Sequence, residues 1–282
     1  MTGLEHPAYG LLRPVTETAS VLLCDNPGLM TLEGTNTWVL QGPGSNEMVV
    51  VDPGPDDDPG PDDDLAPHKG GEHVERLAAL GPIPLVLISH RHPDHTGAID
   101  RIVELTGAVV RSVGSGFLRG LGGPLTDGEV IDAAGLRITV MATPGHTADS
   151  VSFLLDDVRG ERGDGRGAVL TADTILGRGT TVIDHEDGDL GDYLASLRRL
   201  RGAGHRAVLP GHGPELDDIV AVSETYLAHR QQRLGQVRAA LRDLGEDVSS
   251  REVVEHVYGD VDKKLWDAAE WSVQAQLNYL RR

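Results

Sequence analysis

The stretch His90-Arg91-His92-Pro93-Asp94-His95 places three imidazoles and a carboxylate within six residues. These are ligands that zinc and similar divalent metals take. His90 and His92 are two residues apart, so in an extended chain their side chains leave the same face and can share one ion. Pro93 then turns the chain, which lets Asp94 and His95 face a second ion. Further candidates come later: His146 in Thr143-Pro144-Gly145-His146-Thr147, Asp173 after Ala172, and His212 in Pro210-Gly211-His212-Gly213. A polar loop with incidental histidines is the plain alternative, and the spaced downstream ligands weigh against it.

Each candidate follows an apolar run that reads as a strand. Residues 85–89 precede His90, 136–142 precede His146, 168–171 precede Asp173 and 207–209 precede His212. Residues 18–24, 37–40, 48–51, 109–113 and 151–155 predict further strands. Helical spacing marks 72–80, 96–106 (ended by Gly107) and 192–200. Asp52 closes the run 48–51. It can orient a metal-bound histidine through the ring's free nitrogen, or it can cap the turn that follows. The polar loop around Asn36 either reaches the site or is a connector.

At 282 residues the chain suits one large domain with a small appendage. It has no apolar run of about 18 residues or more, so no transmembrane helix is expected. Residues 1–10 show neither a basic nor an apolar leader segment, and Cys24 is the single cysteine, so a cytoplasmic location is expected. Cys24 reads as a small buried apolar residue. A net charge of −19 argues against broad non-specific nucleic-acid binding through the whole surface but leaves room for a local basic patch. The hexapeptide Pro-Gly-Pro-Asp-Asp-Asp, starting at Pro53, repeats at once from Pro59. It cannot bury a core, and an acidic solvated loop over about 53–71 is expected. Calcium binding is the weaker reading, because the spacing of a calcium loop is missing.

The set His-x-His-x-Asp-His, then His146, Asp173 and His212, resembles the metallo-β-lactamase fold superfamily over roughly residues 15–215. The resemblance implies an α/β fold, a four-layer αββα sandwich with the site at one edge between two sheets, and a catalytic domain spanning 1–215. It implies that His90, His92 and His146 hold one metal and that Asp94, His95 and His212 hold another. Asp173 would bridge both. Two divalent ions, expected to be zinc, would share a hydroxide that attacks the substrate, with Asp94 orienting it and Asp94 and Asp173 as the catalytic carboxylates. Several lactamases of this superfamily carry a cysteine ligand, and here the only cysteine is Cys24. Lactam hydrolysis is therefore expected as a weak side activity at most.

Residues 216–282 predict a helical domain. One long helix covers 219–244 and carries His229, Arg230, Arg233, Arg238 and Arg242; Ser249 caps a second, with Glu252 at capping-box spacing; 262–280 predicts a third. From Val222 onward there are nine Lys/Arg against ten Asp/Glu, so the tail is nearly neutral and the body strongly acidic. The tail resembles the winged-helix-like segment of the lactamase-β-like-2 group, whose animal members cut single-stranded RNA. Residues 30–38, 51–55 and 209–214 resemble that group too. A packing appendage or dimer arm is the competing reading, with the arginines forming a solvated face. The expected enzyme is thus a dinuclear metal hydrolase. Its substrate is either single-stranded RNA or a small ester or thioester, as in a glyoxalase II-like thioesterase. A basic helical region of the kind that grips glutathione in that family is not evident. A non-catalytic metal-binding module is a third reading. Asn36, Thr180, Thr181 and Tyr193 are candidate substrate contacts, or packing and capping residues.

Overall fold

The structure is a computed structural model and describes residues 8–56, 70–156, 167–184, 186–245, 247–259, 263 and 266–282. Most of the acidic repeat, the centre of the loop between the strands at 151–155 and 168–172, and the expected start of the last helix lie outside them.

Two sheets stack face to face. The first has six strands in sequential order: β1 (Leu12–Pro14), β2 (Ala19–Leu23), β3 (Asn36–Leu40), β4 (Val49–Val51), β5 (Leu85–Leu87) and β6 (Val109–Arg111). Strands β1 to β4 pair antiparallel, and β4, β5 and β6 pair parallel. The second sheet runs β11-β10-β9-β8-β7, built from β7 (Val130–Ala133), β8 (Leu136–Ala142), β9 (Val151–Leu155), β10 (Ala168–Ala172) and β11 (Ala207–Pro210). Only β10 and β11 are parallel there.

The period-two alternation of the strands decides the layering. Trp38, Leu40, Val49, Val51, Leu85 and Leu87 point inward and meet Ile138, Val140, Phe153, Leu155, Leu170 and Leu209 from the other sheet. The intervening Val39, Val50 and Val86 point outward, under Val74 and Leu77 of α1 (Gly70–Ala78) and Ile99 and Ile102 of α3 (Ile99–Thr106). On the far side Leu154, Val169 and Val208 pack under α4 (Leu190–Arg201) and α5 (Ile219–Leu244). Strands buried on both faces explain why these runs read as almost continuously apolar. The expected αββα sandwich is the observed fold.

Two strands are additions to the sequence reading. β1 is a three-residue edge strand, exposed along its length. β7 is only half-buried and joins β8 through Ala134 and Gly135, both at positive φ (49° and 71°), as a two-residue hairpin requires.

The tail begins on α5, whose N-cap Asp218 accepts the Val220 N–H. Tyr226, Leu227 and Leu234 pack on the sandwich, whereas Val237, Ala240 and Leu241 join α6 (Ser250–Val257) and α7 (Trp266–Leu280) in a separate cluster. Ser249 and Glu252 form the expected capping box. The α5 arginines do not share one solvated face: Arg230 is buried, Arg233 half-buried, and Arg238 and Arg242 exposed. No helix among the described residues is long and apolar enough to cross a membrane.

Candidate metal centre

Five strand ends meet at one edge of the sandwich. Val51 of β4 leads into Asp52, β5 into Ser89 and His90, β8 into His146, β10 into Asp173 and β11 into His212. The parallel pairs β4–β5 and β10–β11 bring their ends level. Asp52 N–H donates to Leu87 O at 3.0 Å and Gly211 N–H to Ala172 O at 2.9 Å. His92 precedes the single helical turn α2 (Pro93–Thr96), which carries Asp94 and His95. Asp52 (φ 56°) and Ala172 (φ 44°) both adopt left-handed backbone, which costs a non-glycine residue about 1 kcal/mol and turns the chain sharply at the site. Gly211 has to be glycine, since a Cβ there would lie 2.4 Å from Asp173 Oδ1.

The ligand atoms converge in two groups. His90 Nε2 lies 3.0 Å from His92 Nδ1, which lies 3.1 Å from His146 Nε2. His212 Nε2 lies 3.2 Å from His95 Nε2 and 3.1 Å from Asp94 Oδ2. Asp173 stands between the groups, 3.3 Å from His212 Nε2, 3.5 Å from His95 Nε2 and 3.8 Å from His146 Nε2.

The opposite nitrogen of every ring is already committed. His92 Nε2 donates to Asp184 Oδ2 (2.9 Å), His95 Nδ1 to Asp52 Oδ2 (2.9 Å), His146 Nδ1 to Val182 O (2.7 Å) and His212 Nδ1 to Gly34 O (3.1 Å). His90 Nδ1 faces Ser89 Oγ at 2.9 Å, and Ser89 Oγ donates its own proton to Asp52 Oδ2 at 2.6 Å. These acceptors cannot donate, so each outer nitrogen carries a hydrogen, and in the neutral ring the inner one is left as a lone pair. Lone pairs facing one another at 3.0–3.1 Å repel unless a cation lies between them. A tetrahedral zinc site would set such nitrogens about 3.3 Å apart. Asp173 Oδ1 is buried and accepts no hydrogen bond. The donor set therefore fits divalent metal on geometry and on chemistry.

Charge agrees. Burial drives His90 well below the ordinary imidazole value, reinforced by His95, and takes His146 down to about 4. Both are neutral ligands at pH 7. Around the second group burial acts the same way but Asp173 and Asp94 overcome it, pushing His212 up to about 10 and His95 well above its usual value. Asp173 is held well below the carboxylate range, against burial, by His212 and His95. This half of the cluster holds positive charge strongly, whether as protons or as a metal.

Asp52 ends a strand in a sharp turn, accepts from His95 directly and reaches His90 through Ser89. Asp52, His90 and His95 also approach one another, but both Asp52 oxygens are occupied by Ser89 and His95. Asp184 escaped the sequence reading. It fixes His92 and pairs with Arg91 at 2.5 Å. It lies between strand ends, in 181–184, with no local pattern to single it out.

The remaining candidates separate. Thr180 and Thr181 line the cavity of about 160 Å³ over the ligands. Asn36 is buried and donates to Pro210 O and Gly213 O, tying β3 to the His212 loop. Tyr193 is a correction. It is fully buried, its hydroxyl donates to Thr174 O at 2.7 Å, and its backbone packs against Gly145, so it braces the His146 loop from behind and lies out of a substrate's reach.

The fold and site define a protein with a histidine- and aspartate-rich cluster, able to hold metal, at the edge of an αββα sandwich. Residues 30–212 match the metallo-beta-lactamase superfamily and residues 249–282 the beta-lactamase associated winged helix domain; the chain belongs to the metallo-beta-lactamase superfamily. It is 30% identical to a beta-lactamase-like protein 2 homolog of Caenorhabditis elegans, over 88% of this chain and 79% of that protein. It is 29% identical to an atrochrysone carboxyl ACP thioesterase of Aspergillus fumigatus, over 87% of this chain and 75% of that one. Among solved structures, a metallo-beta-lactamase family protein of Thermus thermophilus shares the fold with a TM-score of 0.73 at 23% identity, covering 95% of this chain and 94% of the other.

Proposed function

We propose that the protein is a dinuclear, zinc-dependent hydrolase of a small ester or thioester. His90, His92 and His146 would hold one ion, Asp94, His95 and His212 the second, and Asp173 would serve both. Divalent ions held there supply Lewis acidity and make water a competent nucleophile at neutral pH. The protein's own part is preorganisation: five rings locked in one tautomer, and a carboxylate, Asp94, at the mouth with a quarter of its side chain exposed. Asp94 is placed to take the proton of an attacking water.

The observation that carries the substrate class is the cavity wall. Opposite the ligands stand Leu29, Met30, Leu32 and Leu176, and Leu29 and Met30 are exposed. An acyl chain can lie on that surface. The nearby cations are already neutralised: Arg178 pairs with Glu33, and Arg91 with Asp184 and Glu186. Single-stranded RNA needs a basic track along its backbone, and this mouth offers none among the described residues. The thioesterase relative supports the acyl reading.

The test is to incubate the full-length, metal-loaded protein with acyl thioesters of increasing chain length and, separately, with labelled single-stranded RNA, each with and without chelator. Chelator-sensitive thioester cleavage with intact RNA is expected. Chelator-sensitive RNA cleavage with inert thioesters would replace this reading by the endoribonuclease one.

A further inference from the structure

Residues 180–182 line two neighbouring cavities. One is the cavity over the metal ligands, and the other is a second cavity of about 170 Å³ between the sandwich and the helical tail. His229, Arg230 and Arg233 reach it from α5, Tyr258 from the end of α6, and Gln276 from α7.

The polar groups there are under-used. Arg230 is 4% exposed; one of its terminal nitrogens donates to Thr181 O at 2.5 Å, its guanidinium lies over the Tyr193 ring at 4.9 Å, and its Nε has no partner. Arg233 donates to Gln236 Oε1 at 3.0 Å and from Nε to His229 Nε2 at a long 3.4 Å, and stacks over Tyr258 at 4.8 Å. Gln276 is 2% exposed with its Oε1 unpartnered, and His229 Nδ1 is unpartnered too. No carboxylate among the described residues pairs with either arginine. Elsewhere the poorly exposed arginines 91, 111 and 206 each have an acidic partner, in a chain with 44 acidic residues against 25 basic ones. A guanidinium cannot shed its proton, so burial leaves it charged and short of a counter-ion. Two of them at one cavity, both able to offer forked N–H groups, fit an oxygen anion.

We propose that this cavity is a subsite for an oxyanion, a carboxylate or phosphate carried by the substrate on the side away from the scissile bond. Its place beside Thr180 and Thr181 makes it the neighbour of the reaction cavity. As a subsite of that reaction it rests on the hydrolase reading above; as an anion site it does not. The volume accommodates an oxyanion and a few waters, each water taking about 30 Å³.

The direct test labels the arginines of the full-length, metal-loaded protein with ¹⁵N and ¹³C. Their Nε–H resonances are followed while inorganic phosphate or malonate is added. Saturable shifts of the Arg230 and Arg233 signals are expected, and Arg233→Gln should weaken the binding read at Arg230 by about tenfold or more, while Arg233→Lys should retain part of it. Binding at the metals alone would be insensitive to Arg233→Gln. Whichever probe saturates at lower concentration names the anion. Absence of saturable shifts with both probes, or equal affinity in Arg233→Gln, overturns the subsite. A second readout compares kcat/KM for succinyl and butyryl thioesters. The preference for the succinyl compound should fall in Arg233→Gln, and an unchanged ratio speaks against the subsite. If no thioester is turned over but the resonances shift, the substrate class fails and the anion site stands. If thioesters are cleaved without shifts, the anion site fails alone.

Discussion

Asp52→Asn isolates the part of the site that orients the ligands. Asparagine keeps the volume and tolerates the left-handed backbone at φ 56°. The oxygen that accepts the Ser89 N–H at 2.8 Å can stay an oxygen, but the atom facing His95 Nδ1 at 2.9 Å and Ser89 Oγ at 2.6 Å becomes an NH₂. A donor then faces the nitrogen that must donate. His95 can satisfy it only by moving its hydrogen to Nε2, which removes the lone pair aimed at the second ion. Ser89, now accepting from the amide, turns its own hydrogen toward His90 Nδ1 and does the same to a ligand of the first. Loss of one such partner costs about 10–100-fold in metal affinity, or about 1.4–2.7 kcal/mol, and here each ion loses one oriented ligand. Competition with a chelator of known zinc affinity measures both constants. Both should weaken by that factor, whereas Ser89→Ala should weaken only the ion held by His90. Wild-type affinities in Asp52→Asn would refute the tautomer reasoning, and weakening of a single ion would refute the Ser89 branch.

Asp184→Asn should weaken the ion at His92 by about 10–100-fold and spare the other, by the same titration. Gly211→Ala puts a Cβ 2.4 Å from Asp173 Oδ1 and 3.0 Å from His95 Cε1. It should cost about 1–3 kcal/mol in thermal unfolding and lower metal content; a wild-type Tm and full metal would contradict the contact. His73 is buried outside the ligand set, 2.8 Å from Thr37 Oγ1, and burial pushes it down from 6.5 to about 3. A depressed imidazole favours folding above pH 6.5 and loses that contribution as the pH falls towards 3. Acid unfolding of the protein should therefore flatten in His73→Gln, which keeps a donor for Thr37. An unchanged acid limb would show that His73 does not set it.

The ligands were legible because their chemistry and their position coincide. A histidine or aspartate that follows an apolar run stands out, and His90, His146, Asp173 and His212 each follow one. The sandwich followed from the same runs. What the sequence hid depends on tertiary contact. β1 and β7 are short or half-exposed, so their periodicity is weak. Asp184 acts on His92 from 92 positions away, a relation no local spacing records. Tyr193 looked available because it follows the Asp173 loop, yet its place on the inner face of α4 buries it. The row of arginines on α5 suggests a solvated face, and packing against Thr181 and the Tyr193 ring instead buries Arg230.

Metal content tests the central claim most directly. Full-length protein purified without chelator and dialysed against metal-free buffer should retain two divalent ions per chain by elemental analysis. Asp173→Ala, which removes the carboxylate lying between the two groups, should fall below two. A wild-type chain that retains one ion or none when zinc is supplied, or an Asp173→Ala chain that still holds two with unchanged affinity, would contradict a dinuclear centre at this site.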